Sequence, residues 1–210
     1  DVWFTWNAPV SGPIVINNCG TMTNDSVIAV YAGTSCPGGA ALACNDDACA
    51  PLSSLTFTAT AATDYVIQIG SWSTSAGGSG TFTISGPTPP PANDDCATPS
   101  PISGTGLFPY STAGATTGTQ GQAESACLQF GLIPIARDVW FSWTSPSSGI
   151  ATVETCGQTT HDSKIAAYTG AGCPTGAAIA CNDDACGLQT RIRFAVVAGG
   201  VYALQVGSYP

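Results

Sequence analysis

The hexapeptide DVWFTW at residues 1–6 returns as DVWFSW at residues 138–143, and from there the two halves run in step at a constant offset of 137 without a gap. NNCG (17–20) meets ETCG (154–157), NDSVIAVYAG (24–33) meets HDSKIAAYTG (161–170), and DYVIQIGSW (64–72) meets VYALQVGSY (201–209). SCPGGAALACNDDACA (35–50) meets GCPTGAAIACNDDACG (172–187). Self-similarity at this length means two copies of one module, so whatever fold one copy adopts the other must share. The first copy alone continues into GGSGTFTISG (77–86), and the second alone opens on NDDCATPSPI (93–102). PTPPPA (87–92) lies between them and reads as a semi-rigid polyproline-type spacer. The expected organisation is therefore a module over 1–86, a linker over 87–92 and a module over 93–210.

Each copy lacks a piece that the other has. A trimmed chain would show this. So would a window onto a longer tandem array or polymer, in which neighbouring repeats, or further copies of the chain, supply the missing strands as in donor-strand complementation.

Within each copy the strands follow a period of two. LTFTATA (55–61) alternates Leu55, Phe57 and Ala59 with threonines, and YVIQIG (65–70) sets Tyr65, Ile67 and Ile69 on one face. TFTISG (81–86) turns Phe82 and Ile84 inward, and in the second copy Ile192 and Phe194 point in while Arg191 and Arg193 point out. VWFTW and SVIAVY are apolar on both faces and suit central strands. No long stretch keeps a helical period. The pattern predicts an all-β chain of two tandem antiparallel β-sandwich modules.

Charged residues make up only 8% of the chain, against a usual share of about 25%. The net charge is −9, the only cations are Arg137, Lys164, Arg191 and Arg193, and residues 1–92 have none. A basic nucleic-acid footprint is therefore excluded, and no apolar run is long enough for membrane insertion as a helix. The 44% hydrophobic content argues against disorder. Ten cysteines, an even number, point to disulfides and a secreted, extracellular or cell-surface location.

An acidic chain with little counter-charge suits divalent cations. Each copy offers an aspartate at a strand start (Asp25, Asp162) and a triplet, Asn45-Asp46-Asp47 or Asn182-Asp183-Asp184. Ca²⁺ takes six to eight oxygens from carboxylates, amides and carbonyls. Residues on a straight strand alternate, so only a turn gathers two of the triplet toward one ion. The alternative is a polar turn closed by Asx hydrogen bonds. Asn93, Asp94 and Asp95 form a third such cluster.

The order NDDC, DVWFSW, TCG, HDSKIAAYTG, ACNDDACG, VYALQVGSY resembles the bacterial pre-peptidase C-terminal domain and related repeats of secreted proteins, over essentially the whole chain. The resemblance implies a jelly-roll-like β-sandwich, often Ca²⁺-stabilised, appended to exported proteins, with collagen or polysaccharide as ligands of some members. It also implies metal ligands at Asn93, Asp94 and Asp138, with the Asp162 and Asn182–Asp184 loops as further candidates.

Cys19, Cys36, Cys44 and Cys49 recur as Cys156, Cys173, Cys181 and Cys186, while Cys96 and Cys127 occur once. The spacings suit a zinc site poorly. Four cysteines allow three pairings. If a hairpin brings Cys173 to Cys181, the set is Cys173–Cys181, Cys156–Cys186, Cys36–Cys44, Cys19–Cys49 and Cys96–Cys127.

Catalysis has little to rest on. The one histidine, His161, stands where the first copy has Asn24, and reads as a surface-turn residue. No nucleophile elbow, zinc-protease or phosphate-loop motif occurs. Trp3, Trp6, Trp140 and Trp143 read as core, with Trp72 and Tyr209 as exposed aromatics. The expectation is a non-catalytic extracellular structural or adhesive repeat with structural Ca²⁺, part of a longer array or surface fibre. The alternative is a carbohydrate- or protein-binding targeting module of a secreted hydrolase.

Overall fold

In the computed structural model, which describes residues 1–73 and 77–210, the chain divides into two compact units, Asp1–Pro89 and Pro90–Pro210. Unit 1 holds β1 (Val2–Asn7), β2 (Gly12–Asn17), β3 (Ser26–Ala32), β4 (Ala43–Asn45), β5 (Ser54–Ala59), β6 (Asp64–Ser71) and β7 (Thr83–Ser85). Unit 2 holds β8 (Ser100–Ser103), a 3₁₀ turn (Ser125–Cys127), β9 (Ala136–Thr144), β10 (Gly149–Glu154), β11 (Ser163–Thr169), β12 (Ala180–Asn182), β13 (Arg191–Val196) and β14 (Val201–Ser208). From β2 to β6 every strand reappears 137 residues later as β10 to β14 with the same bounds.

Unit 1 is a β-sandwich. A four-stranded sheet in the order β1-β6-β3-β4 faces a three-stranded sheet in the order β5-β2-β7, and all pairs are antiparallel. The chain passes to the other sheet between β1 and β2, β2 and β3, β4 and β5, and β5 and β6, so the layers are sewn together along their length. The alternating residues meet in the middle: Ile14, Ile16, Leu55 and Phe57 from one sheet pack on Ile28, Val30, Ile67 and Ile69 from the other. Phe82 and Ile84 close the core from the β7 side.

Unit 2 repeats this with a five-stranded sheet, β12-β11-β14-β9-β8, over the hairpin-like pair β10-β13. Its core joins Val139, Phe141, Trp143, Ile165 and Leu204 to Ile192, Phe194 and Val196. Arg191 and Arg193 stay outside, and Arg191 pairs with Glu154 across the β10–β13 ladder. The β8–β9 pair is parallel, an exception to the antiparallel expectation. Parallel neighbours need a long crossover, here the segment between Ser103 and Ala136.

That segment gives unit 2 a second core. A strap over residues 93–135 wraps the five-stranded sheet: β8 joins its edge, Ile102, Tyr110 and Ala115 pack into the inner core, and on the outer face Cys96, Cys127 and Ile135 bury against Trp140, Ala166, Tyr168 and Ala203. Trp140 anchors it: its backbone N–H donates to the Asn93 carbonyl at 2.8 Å, and its own carbonyl accepts from Asn93 Nδ2 at 2.9 Å. Gln122 exchanges two hydrogen bonds with the Ile135 backbone, and Glu124 accepts from the Ala178 N–H at 2.8 Å. Gly121, at φ +71°, crosses so closely that a Cβ there would meet the Tyr168 hydroxyl at 2.6 Å.

The strap also corrects the cysteine pairing. Cys19 bonds Cys49 and Cys156 bonds Cys186, but Cys96 bonds Cys173 and Cys127 bonds Cys181. The expected Cys96–Cys127 and Cys173–Cys181 pairs do not form, because each strap cysteine faces the β11–β12 region beneath it and not its neighbour along the strap. The expected Cys36–Cys44 pair is likewise absent, and both side chains are exposed thiols. The Trp expectation needs a similar correction. Trp140 is 1% exposed, whereas its counterpart Trp3 is 41% exposed, since β1 is an edge strand and no strap overlies it among the described residues of unit 1.

The same residue type at equivalent positions should therefore carry different weight. Trp140→Ala is expected to destabilise unit 2 by about 3–5 kcal/mol, as for a large buried aromatic, while Trp3→Ala leaves unit 1 within about 1 kcal/mol. Urea unfolding of the two variants of the whole chain checks this, and equal losses would contradict it.

Candidate functional site

Asp25 directly precedes β3 and Asp46 directly follows β4. These strands pair antiparallel, with Ile28 opposite Asn45, so the start of one and the end of the other share one end of the sheet. Strand pairing therefore draws together residues more than twenty apart in sequence. The same register, Ile165 opposite Asn182, brings Asp162 to Asp183. In each unit one carboxylate oxygen apiece from Asp25, Asp46 and Asp47, or from Asp162, Asp183 and Asp184, lies within 4.8 Å of the other two.

Two devices hold the loop after β4 in place. The first is the disulfide that joins it to the end of β2 (Cys19–Cys49) or of β10 (Cys156–Cys186). The second is a buried polar latch beneath the loop. In unit 1, Asn18 Oδ1 accepts from Ser26 Oγ at 3.1 Å and from the Ser53 N–H at 3.0 Å, while Ser53 Oγ donates to the Asp46 carbonyl at 2.6 Å. In unit 2, Thr155 Oγ1 and Ser163 Oγ share a hydrogen bond of 2.7 Å, and the Thr190 N–H donates to Thr155 Oγ1 at 3.1 Å. All six latch residues are buried. The latch is legible in the sequence only as a polar residue kept at matching positions in both copies.

The triplet asparagines take a structural part. Asn45 Oδ1 accepts from the Ala48 and Ser54 N–H groups at 3.0 and 3.2 Å, the Asx-type closure expected of such a turn. Asn182 Nδ2 donates to the Arg191 carbonyl at 3.0 Å.

The aspartates behave differently. Oδ1 of Asp25, Asp46, Asp162 and Asp183 is buried and accepts no hydrogen bond from any described residue. Asp183 is only 1% exposed, and burial, reinforced by the negative charges of Asp162 and Asp184, pushes its carboxyl up to about 6. Burial and Asp184 also raise Asp162, and burial with Asp47 and Asp25 raises Asp46. Unit 2 carries partial compensation in Lys164, a fully buried ammonium that donates to the Leu132 carbonyl at 3.0 Å and lies 5.3 Å from the Tyr209 ring centroid. Unit 1 has Val27 at that position, so its three carboxylates have no such partner.

This donor set fits a hard divalent cation. Ca²⁺ binds oxygens at about 2.3–2.6 Å, so two ligands of one ion stand no more than roughly 5 Å apart, and the oxygens of each cluster lie within 4.8 Å of one another. Buried anionic oxygens with no donor are costly unless paired or bound to metal.

The remaining expected ligands lie elsewhere. Asp94 accepts from the Thr116 N–H and hydroxyl at 2.6 and 2.7 Å, Asn93 brackets the Trp140 backbone, and Asp138 accepts from Gln205 Nε2 at 2.9 Å beneath the strap. Burial raises the Asp138 carboxyl, against the lowering effect of Gln205. These three secure the strap and do not join the cluster at Asp162. His161 is partly buried, not a free turn residue: Nδ1 shares a 2.6 Å hydrogen bond with Thr159 Oγ1 and the ring meets Tyr110 edge-on. Trp72 is 53% exposed, while Tyr209 packs against Phe130.

With this geometry in place, comparison with known proteins gives one assignment. A sequence profile described as galactose binding domain-like, from a family associated with type IX secretion, matches residues 1–84 and again 92–209. No curated protein matches the chain. The resemblance to the pre-peptidase C-terminal domain is thus met at a coarser level, that of a bacterial extracellular β-domain. The family is a non-catalytic binding or structural module type, and its association with secretion, together with four disulfides, marks an extracellular or surface protein.

The carboxylates have a pH signature. In the metal-free chain the raised Asp183 stabilises unit 2 when protonated: that contribution is complete below the unfolded value of 3.8 and is lost as pH rises through about 6. Calorimetry without metal should show the unit 2 transition rising as pH falls from about 7.5 toward about 5, and Asp183→Asn should flatten that rise. An unchanged slope in the variant would refute it.

The match over both copies settles where the chain stands: it belongs to the galactose binding domain-like family associated with type IX secretion.

Proposed function

We propose that the chain is a non-catalytic extracellular structural or adhesive module, stabilised by Ca²⁺ at both three-carboxylate loops and forming part of a longer tandem array or surface fibre. One observation carries this reading: the same latched cluster, with buried carboxylate oxygens that lack a donor, is built twice at one offset. A unique active centre has no reason to recur in sister modules, whereas a stabilising loop does. Asp25, Asp46 and Asp47 would hold one ion and Asp162, Asp183 and Asp184 the other, with loop carbonyls and water completing the shell. The ion would supply the positive charge that lets the carboxylates stay ionised while buried. The likeness to pre-peptidase C-terminal repeats supports the same reading.

Adding Ca²⁺ to the metal-free chain at about pH 7.5 is expected to raise Tm by several degrees, by mass action on the folded state. A chain carrying both Asp46→Asn and Asp183→Asn should lose the response. No shift in the parent chain would remove Ca²⁺ from the proposal. Electron microscopy of native material tests the array, with filaments of regular axial repeat expected and isolated particles counting against it.

The alternative is a glycan- or protein-binding targeting module of a secreted hydrolase. The family description, the exposed Trp72 and a groove of about 320 Å³ beside Phe4, Met22 and Phe82 favour it. Galactose-terminated glycans on an array test it directly: binding lost in Trp72→Ala and Phe4→Ala would favour this reading over a purely structural role.

A further inference from the structure

Beside the acidic loop of unit 2 the chain places a cation of its own. Lys164 lies on β11, and because side chains alternate along a strand it leaves the sheet on the outer face, with Ala166 and Tyr168. It is fully buried there. Its Nζ donates to the Leu132 carbonyl at 3.0 Å and lies 5.3 Å from the Tyr209 ring centroid, and Tyr209 in turn meets Phe130 edge-on. The charge reaches the loop. Burial lowers the Lys164 pKa, the negative charges of Asp183 and Asp162 oppose that shift, and Lys164 in return works against the rise of both carboxyls. Asp183 is 1% exposed, and its Oδ1 accepts no hydrogen bond from any described residue. Opposite charges interact more strongly where water screens neither of them fully. Unit 1 keeps the same register at this place, with Val27 opposite Gly70 as Lys164 is opposite Gly207, but its side chain is apolar.

We propose that Lys164 is the built-in counter-ion of the unit 2 acidic loop and sets the affinity of that loop for divalent cations. This rests on the calcium reading of the two loops and deepens it. An ammonium has donors only, so Lys164 is no metal ligand and acts through its charge. A resident ammonium steadies the three carboxylates when no metal is bound, and it repels an incoming divalent ion. The unit 2 loop therefore holds its turn at low Ca²⁺ and loads at a higher Ca²⁺ concentration than it would with a neutral residue. Position 27 offers no such charge to the unit 1 loop, so the two modules share one site geometry and answer to Ca²⁺ differently.

Titration calorimetry with CaCl₂ at low ionic strength tests this on the whole 210-residue chain, carrying Asp46→Asn so that the unit 2 loop is the intact one. Lys164→Gln keeps a donor for the Leu132 carbonyl and removes the charge. It should tighten Ca²⁺ binding about tenfold, while Lys164→Arg, which keeps the charge, should bind as Lys164 does. In a chain carrying Asp183→Asn instead, Lys164→Gln should leave Ca²⁺ binding at the unit 1 loop unchanged. A second readout needs no metal. Lys164→Gln should lower the Tm of the metal-free unit 2, and should lower it less in the presence of Asp183→Asn, because a counter-ion matters only while its partner is charged. Tm losses that simply add would overturn the proposal. So would equal Ca²⁺ affinity with Lys164 and with Gln at that position, an outcome that leaves the calcium reading standing. Ca²⁺ bound by neither loop, with or without the lysine, would overturn the calcium reading and the affinity role together.

Discussion

A sheet that is apolar on both faces buries both only when each is covered, and that constraint organises unit 2. In β9 the alternation that sends Val139, Phe141 and Trp143 into the sandwich sends Trp140 to the opposite side. Burying an indole on the outer face removes a large apolar area from water, but only if something lies over it. The covering strap is short of regular structure, with one brief strand and one 3₁₀ turn. Its two disulfides to the sheet below supply what a hydrogen-bonded ladder would otherwise supply, and each such bridge contributes about 2–4 kcal/mol in general.

The acidic loops depend on strand pairing at one end of the same sheet. Antiparallel pairing of β3 with β4, and of β11 with β12, sets the first aspartate against the other two. A disulfide and a buried hydroxyl or amide latch keep the loop from relaxing away. The arrangement concentrates negative charge where solvent cannot screen it fully, which is why the Asp183 carboxyl is pushed up to about 6. Lys164 offsets part of this in unit 2, at the cost of a buried ammonium held below its ordinary value by desolvation. In unit 1 a valine takes that place, so the two copies share a geometry and differ in charge balance.

Much of the fold is legible in the residues themselves. The 137-residue offset foretells that the strands β2 to β6 recur as β10 to β14. The alternation in LTFTATA and RIRFAV names the buried residues because a half-buried strand has a period of two. The Asn-Asp-Asp triplets mark the acidic loops because so few other charges compete with them. Less visible is which of several candidate ligands converge. Asn93, Asp94 and Asp138 share the residue types of a cation site, yet they serve the strap, since nothing in a sequence says which end of a sheet a loop will reach.

The chain's own sequence determined that it folds as repeated, disulfide-bearing β-sandwiches with two equivalent acidic turns, because periodicity and repetition are local or self-referential properties. Only the tertiary structure decided the cysteine partners and the exposure of Trp3. Cys96 and Cys173 stand 77 residues apart and Cys127 and Cys181 stand 54 apart. They meet because an irregular strap crosses the outer face of a sheet, a path fixed by the burial of Trp140 and Tyr168 and by no pattern within the strap itself.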